Sequence, residues 1–159
     1  MTNVISQKAK YALKALVVLA RQETGRSLQT TEIAAAAAVP RKFLEQILLQ
    51  LKVGGLVTSR RGRAGGYMLV ADPEAITVSQ VLRIVDGPIA PLPCISRTAY
   101  RRCPDCPDEK ECAIRSMFAA TYASTLRMME RTTLASALRA SAFDDSDLPG
   151  GTNIAAEAI

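Results

Sequence analysis

Residues 39–70 read VPRKFLEQILLQLKVGGLVTSRRGRAGGYMLV. Pro40 suits the first turn of a helix, where its missing N–H costs nothing. The pair Gly54-Gly55 ends the apolar periodicity that follows, so the stretch predicts a helix over 41–53. The buried stripe of this helix is expected to consist of Leu44, Ile47, Leu48 and Leu51.

Two β-prone runs follow this helix, at 56–59 and 67–70, and they flank a turn rich in glycine and arginine. This arrangement predicts a β-hairpin. Upstream, apolar residues at helical spacing predict a helix over 6–23, and Thr30 is a suitable N-cap for a short helix that ends before Pro40. Three helices, the last two joined by a tight turn, followed by a basic hairpin, are typical of a winged helix-turn-helix.

The remainder of the chain is also predicted to be mainly helical. A short helix is expected over 77–86 and a long helix over 113–131, separated by an irregular segment that carries all four cysteines. Thr132 is a suitable cap for a last short helix that ends near Leu138. One face of the long helix is lined by Ile114, Met117, Phe118, Thr121, Thr125 and Met128.

Charge is distributed unevenly along the chain. The net charge is +5, but residues 1–70 carry 11 Lys and Arg against 3 Asp and Glu, whereas residues 71–159 carry 9 against 12. A concentrated basic region suits phosphate binding, because affinity grows with the number of phosphates neutralised. The sequence has no histidine, which excludes Ser-His-Asp and Cys-His catalysis and His-ligated metals. Since we find no secretory signal and no apolar stretch long enough to span a membrane, we expect a cytoplasmic protein.

Basic and polar side chains are predicted on the two elements that reach DNA in a winged helix-turn-helix. At the start of the third helix, Lys42 and Gln46 can donate to base acceptors in the major groove, and Glu45 can accept from a cytosine amino group. Arginines on the wing can reach phosphates or a narrow minor groove. Any one of these charges alone is more typical of solvated surface, but their combination in this order favours nucleic-acid binding. The candidate DNA-binding residues are Arg41, Lys42, Glu45, Gln46, Arg60, Arg61 and Arg63.

The four cysteines are spaced Cys94-x8-Cys103-x2-Cys106-x5-Cys112, and all four are candidate metal ligands. In the reducing cytosol, clustered cysteines indicate ligands or redox sensors before a structural disulfide. An iron–sulfur cluster of 2Fe-2S or 4Fe-4S type takes thiolates from a loop of this kind. A zinc site also takes four cysteines, usually as two short knuckles, and only Cys103 and Cys106 form one. A metal-free thiol switch is the third alternative, since nearby arginines favour thiolates.

Five short motifs stand out in the sequence, and two of them, Leu-Glu-Gln and Arg-Gly-x-x-Gly-Gly-Tyr, are specific in combination. They lie at Lys10-Tyr11-Ala12, at Phe43-Leu44-Glu45-Gln46-Ile47-Leu48, at Gly55-Leu56-Val57, at Arg61-Gly62 with Gly65-Gly66-Tyr67, and at Val81 with Asp86-Gly87. Over about residues 5–138 the chain resembles the Rrf2 family of bacterial winged helix-turn-helix regulators. This family includes the iron–sulfur cluster assembly regulator, the nitric-oxide-sensitive repressor and the rhizobial iron regulator.

The resemblance implies a homodimer in which the long helix crosses its partner. It also implies a double-stranded DNA operator that is close to palindromic, with half-sites about one helical turn apart. Carried over by position, Lys42, Glu45 and Gln46 are the expected base readers, and Arg61 is the expected wing contact.

The resemblance also favours the cluster over zinc and over a metal-free switch. Members of the family complete the ligand set with a histidine three residues after the last cysteine, or with an acidic residue from the partner's first helix. These positions are Arg115 and Lys10 here, and neither is an ordinary cluster ligand. We therefore expect either all four cysteines to bind, or a neighbouring carboxylate such as Asp105 or Asp108 to help.

Together these observations predict a mainly α-helical protein with a small β-hairpin wing, a winged helix-turn-helix plus a long dimerisation helix. The expected domains are a DNA-binding winged helix-turn-helix at 1–86, a cysteine-containing sensor loop at 87–112, a dimerisation helix and short C-terminal helix at 113–142, and a disordered tail at 143–159. The expected function is sequence-specific transcription regulation that senses iron, redox or nitric-oxide status through the cluster. The alternative is a zinc-containing or clusterless regulator that responds to thiol oxidation or to a partner protein.

Two other classes of function are less well supported. Cys103-x2-Cys106 suggests a redox enzyme, but no βαβ pattern surrounds it. A winged-helix module used only for protein contacts is the other class, and a steep fall in DNA affinity with salt, together with loss of binding in Arg61→Ala, would argue against it. We expect no enzymatic activity, no small-molecule substrate and no membrane association.

Overall fold

The computed structural model describes residues 5–62 and 65–140. In these ranges it contains six α-helices, one short 3₁₀ helix and one two-stranded antiparallel sheet. The elements are α1 (Gln7–Ala20), α2 (Thr30–Ala37), α3 (Arg41–Val53), β1 (Val57–Arg60), β2 (Gly66–Leu69), α4 (Val78–Val85), the 3₁₀ helix (Pro93–Ile95), α5 (Ala113–Arg131) and α6 (Leu134–Arg139). The predicted fold class is confirmed, and the tail predicted at 143–159 lies outside the described residues. None of the described helices is both long enough and apolar enough to cross a membrane.

The helix-turn-helix is formed by α2 and α3, and its turn includes one left-handed residue. Ala38 has φ 50° and ψ 55° at the C-terminus of α2, and Pro40 precedes α3 as its N-cap. The stripe predicted for α3 is buried, and Leu44, Leu48 and Leu51 have no exposed surface. Burying one such side chain contributes roughly 1.5–3 kcal/mol. The stripe therefore fixes α3 against α1 and α4 and leaves the opposite face of α3 directed outward.

The start of α2 differs from the prediction by one residue. Gln29 is the N-cap, and Thr30 is the first helical residue. The reason is Glu32, whose Oε2 accepts a hydrogen bond from the Gln29 backbone N–H at 2.6 Å. This contact fixes the N-cap one residue earlier, and the carboxylate suits the positive end of the helix.

The wing is the antiparallel pair of β1 and β2, with Val57 opposite Leu69 and Arg60 opposite Gly66. Each strand is displaced by one residue from the predicted β-prone run. Gly66 joins β2 because this backbone passes very close to Leu28. A Cβ at Gly66, where φ is 154°, would lie 2.2 Å from the Leu28 carbonyl oxygen.

Of the two C-terminal helices, α6 packs against α1 and α5 packs against α4. Arg83 of α4 and Glu130 of α5 form an ion pair at 3.1 Å. α6 begins after Thr133 instead of the predicted Thr132, because Thr133 Oγ1 accepts a hydrogen bond from the Ser136 backbone N–H at 3.1 Å. The bounds predicted for α5 are confirmed.

α5 has one face against the rest of the chain and one face directed outward. Leu126 is buried, whereas Ile114, Met117, Phe118 and Met128 are 54%, 67%, 43% and 71% exposed. These four belong to the apolar face predicted for the helix. An apolar surface of this kind usually marks an interaction site.

Candidate DNA-binding surface and cysteine cavity

The first half of α3 presents its predicted DNA-binding side chains to solvent. Arg41, Lys42, Glu45 and Gln46 are all exposed. Arg41 Nε and Glu45 Oε1 form an ion pair at 2.9 Å across one helical turn, and 63% and 50% of their side chains are exposed. An exposed pair with this spacing contributes only about 0.3–0.5 kcal/mol. Both side chains can therefore turn toward DNA at little cost.

An aromatic side chain that was not predicted to belong to the site lies beside these residues. Phe43 is 62% exposed, although it is one of the few aromatic residues in the chain. An apolar ring on this helix suits contact with the methyl group of thymine. The available signal was its position, since Phe43 lies off the stripe that includes Leu44 and Ile47.

The wing arginines also face solvent. Arg60, at the end of β1, and Arg61 are exposed, and Arg63 lies outside the described residues. Lys52 Nζ donates to Ser59 Oγ at 2.6 Å, which connects the last turn of α3 to β1. Because of this contact, the two predicted DNA-binding elements are joined directly to each other.

All four cysteines line one cavity of about 790 Å³. Cys94 belongs to the 3₁₀ helix and is buried, with 7% exposure. Cys103 and Cys106 lie in the following loop and Cys112 immediately precedes α5; these three are half-buried. None of the four forms a disulfide. The fold thus brings four cysteine side chains, which are separated in the sequence, to the lining of one cavity.

Cys112 is the N-cap of α5, and its sulfur accepts hydrogen bonds. The Arg115 backbone N–H donates to Cys112 Sγ at 3.5 Å. This hydrogen bond is the main cause that lowers the pKa of Cys112 below its usual value, and a second hydrogen bond, from the Cys106 thiol, adds to it. The positive end of a helix favours a thiolate for the same reason. The charge of Arg115 also lowers this pKa, but less than these hydrogen bonds do.

The pKa of Cys106 is raised, because its thiol donates to Cys112 and is lost as a donor on ionisation. The Asp108 carbonyl oxygen is a second acceptor for this thiol, with Sγ and O 3.3 Å apart, and the single thiol proton serves one of the two acceptors at a time. The two sulfurs therefore form an unequal pair, in which Cys112 is the better thiolate and Cys106 the better proton donor.

Glu109 and Arg115 line the same cavity. Tyr100 donates through its hydroxyl to Glu109 Oε2 at 2.8 Å, and this contact raises the pKa of Tyr100. Arg115 Nη1 donates to the Glu109 carbonyl oxygen at 3.3 Å. In the part of the chain that the structure describes, Glu109 Oε1 and Arg115 Nε are buried without a hydrogen-bond partner.

The two carboxylates suggested by the sequence occupy different places. Asp105 lines the cavity. Asp108 Oδ1 accepts a hydrogen bond from the Lys110 backbone N–H at 2.8 Å, which closes a local turn. Glu109 was not singled out from the sequence, because nothing in the order of residues distinguishes it from the acidic residues around it.

The thiols around the cavity are of the ligand type that both zinc and iron–sulfur clusters take. Within residues 5–62 and 65–140, no group of three or more Cys, Asp or Glu side chains is arranged to hold one ion. Zinc needs its ligands to converge on one centre, whereas the ligands of a cluster are shared among several irons. Four thiols around one cavity could supply the thiolates that a cluster needs.

A helix-turn-helix with an exposed polar face on α3 and a basic hairpin next to it defines a winged helix-turn-helix transcriptional regulator. The Rrf2 family, described as an iron-dependent transcriptional regulator, matches residues 5–140, and the chain belongs to this family. It is a DNA-binding regulator and not an enzyme. The predicted family is therefore confirmed.

Individual relatives agree with this assignment. An rrf2-like HTH-type transcriptional regulator from Rhodobacter capsulatus is 48% identical over 140 residues, which span 86% of this chain and 93% of the relative. The structure of CymR, the global cysteine regulator of B. subtilis, is similar with a TM-score of 0.71 and 29% identity, covering 87% of this chain and 98% of CymR. The structure of IscR from T. potens has the same fold, with a TM-score of 0.67 and 23% identity, covering 92% and 93% of the two chains.

Proposed function

We propose that this regulator is a homodimer whose sequence-specific binding to DNA depends on an iron–sulfur cluster held in the cysteine cavity. The observation that carries the proposal is the convergence of Cys94, Cys103, Cys106 and Cys112 on one cavity beside the start of α5. When bound, such a cluster supplies sensitivity to iron supply, oxidants and nitric oxide. The family description as iron-dependent agrees with this role.

DNA recognition is assigned to α3 and the wing. Lys42 and Gln46 donate to base acceptors in the major groove, and Glu45 accepts from a cytosine amino group. Phe43 adds an apolar contact to thymine methyl groups. Arg41 and the wing residues Arg60, Arg61 and Arg63 contact phosphates or the minor groove, which fixes the register without reading sequence.

Dimerisation is assigned to the outward face of α5. Its exposed apolar side chains include Met117 and Met128, which are 67% and 71% exposed in the single chain. A second copy is the natural cover for such a face, because most closed oligomers of this size are two-fold dimers. A two-fold dimer requires two half-sites, which gives an operator with palindromic symmetry.

The cysteine cavity is connected to α5 through the backbone. Cys112 is the N-cap of α5, and Cys94 lies in the 3₁₀ helix that contacts α5. Closing the loop around a bound group therefore acts on the start of the dimer helix. A change there alters the separation of the two copies of α3, and a coupling of about 1–3 kcal/mol is sufficient for regulation.

A second candidate is a metal-free thiol switch, and the lowered pKa of Cys112, which lines one cavity together with Cys106, favours it. In this scheme the Cys112 thiolate attacks a peroxide oxygen and becomes a sulfenic acid, with release of water or an alcohol. The Cys106 thiol then attacks that sulfur, the disulfide forms, and a second water leaves.

One experiment separates these schemes. The protein is purified without oxygen, its visible spectrum is recorded, and its iron, sulfide and zinc contents are measured. Broad visible absorbance with stoichiometric iron and sulfide supports the cluster. One zinc per chain, or a colourless metal-free protein that resists reconstitution, contradicts it, and the second of these results favours the thiol switch.

A further inference from the structure

A groove along the outward side of α1 combines apolar side chains with a basic edge. Its volume is about 530 Å³, and the end of α2 lines one side of it. Leu13 and Val17 form its apolar part and are half-buried, whereas Lys10, Lys14 and Arg21 line it and are exposed. The spacing of the three cations places them on one face of the helix. We call this feature the α1 groove.

The positive charge of the α1 groove is not balanced by the described part of the chain. Among the described residues that line it, none is acidic. The ion pairs found in residues 5–62 and 65–140 involve none of its three cations. Charges of like sign on one face repel one another, so an anionic partner is favoured there. The exposed apolar side chains between them indicate that this partner also has apolar side chains.

The C-terminal segment of the chain has the complementary composition. Residues 141–159, which follow the described residues, contain four acidic residues and no Lys or Arg. Three of the acidic residues lie in the run FDDSDL at 143–148, which has an apolar residue at each end. A segment with so little apolar surface cannot form a core of its own, so it becomes ordered only against another surface.

The length of this run matches the length of the α1 groove. Lys10 and Arg21 lie about 17 Å apart along the helix axis, at 1.5 Å per residue. Six residues in an extended conformation span about the same distance, at 3.3 Å per residue. Residues 143–148 can therefore extend along the whole row of cations.

The segment also starts close to one end of the α1 groove. It follows α6, which packs against α1. The Ala135 N–H of α6 donates to the Pro73 carbonyl oxygen at 3.2 Å, and Pro73 lines a cavity together with Leu19 and Ala20 of the last turn of α1. α6 therefore lies near the end of α1 that carries Arg21.

We propose that residues 143–148 of this chain dock in the α1 groove, with the three aspartates against the cations and with Phe143 and Leu148 against the apolar side chains. This interaction goes beyond the proposed function and does not depend on a cluster. None of the candidate DNA-binding residues lines the groove, so the docked segment leaves α3 and the wing uncovered. It neutralises part of the basic half of the chain, which weakens non-specific attraction to DNA.

The first test measures the backbone order of residues 143–148 by ¹⁵N relaxation in the full-length protein. In the wild type we expect order parameters of about 0.85, and in Lys14→Glu values below about 0.6, because attraction to the aspartates becomes repulsion. Lys8→Glu is the matched control, since Lys8 is an exposed lysine of α1 that does not line the groove, and it should match the wild type. Low order parameters in the wild type, or equal loss in both variants, overturn the proposal.

The second test exchanges the charges of one pair. Asp145→Lys alone should release the segment, and the double variant Lys14→Glu/Asp145→Lys should recover at least part of its order. The control Lys8→Glu/Asp145→Lys should not recover it. Equal order in the two double variants overturns the proposal.

The third test locates the contact on the folded part of the protein. Neutralising the run with Asp144→Asn, Asp145→Asn and Asp147→Asn together should shift the backbone amide resonances of α1, whereas Glu157→Gln in the same segment should not. Shifts confined to α3 and the wing would place the segment on the DNA-binding surface, and unchanged α1 resonances would leave the groove to another occupant such as a second copy. Either result overturns the proposal while the proposed function stands.

Discussion

The backbone N–H of Tyr67 donates to the Leu28 carbonyl oxygen at 2.8 Å, and the Leu28 N–H donates back to the Tyr67 carbonyl oxygen at 2.9 Å. This pair attaches β2 of the wing to the segment that leads into α2. The wing is therefore connected to the helix-turn-helix on both sides, since Lys52 of α3 also reaches β1. The orientation of the wing arginines relative to α3 follows from these contacts.

Gly66→Ala is expected to separate the wing from this anchor. Its Cβ would lie 2.2 Å from the Leu28 carbonyl oxygen, so the strand has to move or the backbone has to strain. The expected loss is about 2–5 kcal/mol in the free energy of unfolding, measured by denaturant titration.

Gly62→Ala is the matched control, because Gly62 is in the same hairpin and also has positive φ, at 111°, but has nothing within 4 Å of its Cβ position. Its free energy of unfolding should fall only by the cost of a positive φ in a residue that has a Cβ, about 1–2 kcal/mol. Equal losses in the two variants would show that contact with Leu28 is not what requires glycine.

Residues of α3 and of the wing should affect DNA binding differently. Gln46→Ala is expected to lose about 1–3 kcal/mol of discrimination at one base position, because a base contact is removed. Arg61→Ala should weaken binding to all sequences similarly. It should also reduce the slope of log affinity against log salt concentration by about the amount that one phosphate contact contributes. The measurement is fluorescence anisotropy on a duplex selected by the protein from a random library, at several salt concentrations.

Arg127→Ala is the control for these DNA-binding variants. Arg127 is an exposed arginine of α5, so the variant should match the wild type. A loss of affinity equal to that of Arg61→Ala would indicate a non-specific effect of charge.

The outward face of α5 should determine the oligomeric state. Met117→Glu places a charge in the apolar face and is expected to give a monomer by light scattering at micromolar concentration. Ser116→Glu adds the same charge to the neighbouring position, which points away from this face, and should remain dimeric. A dimeric Met117→Glu protein would place the interface elsewhere.

Cys112 should be the most readily alkylated member of the Cys106–Cys112 pair in the reduced, cluster-free protein. Its pKa is lowered by the Arg115 backbone N–H and the Cys106 thiol, so more thiolate is present at a given pH, whereas the pKa of Cys106 is raised. Mass spectrometry of alkylation against pH should show Cys112 reacting at lower pH. In Cys106→Ala the profile of Cys112 should move to higher pH, since one donor is lost. Faster reaction of Cys106 would contradict this assignment.

Residues that start or end helices made the helices predictable from the local sequence. α3 has the predicted bounds because Pro40 and Gly54 mark its ends and its apolar stripe has helical period. Of the predictions that moved by one residue, that of β2 depends on a contact distant in sequence, and that of the start of α2 depends on a local one. Gly66 enters β2 because of Leu28, and α2 starts at Thr30 because Glu32 binds the backbone of the preceding residue.

The candidate sites were inferred from residue types, whereas their geometry depends on the fold. Cysteine spacing identified the cavity, because four thiols within one hydrophilic loop are typical of a metal or redox site. The sequence did not single out Glu109, since its hydrogen bond with Tyr100 depends on the fold of the loop. Likewise, the unequal pairing of Cys106 and Cys112 depends on the N-terminus of α5, which aims a backbone N–H at Cys112.

In the proposed function, the state of the cysteine cavity controls DNA binding. The most direct test is the affinity of one protein preparation for one selected duplex, measured without oxygen, with the cluster loaded and after its removal. We expect affinities that differ about 5- to 150-fold, the range typical of regulatory coupling. Equal affinities of the loaded and cluster-free forms would contradict control by the cavity.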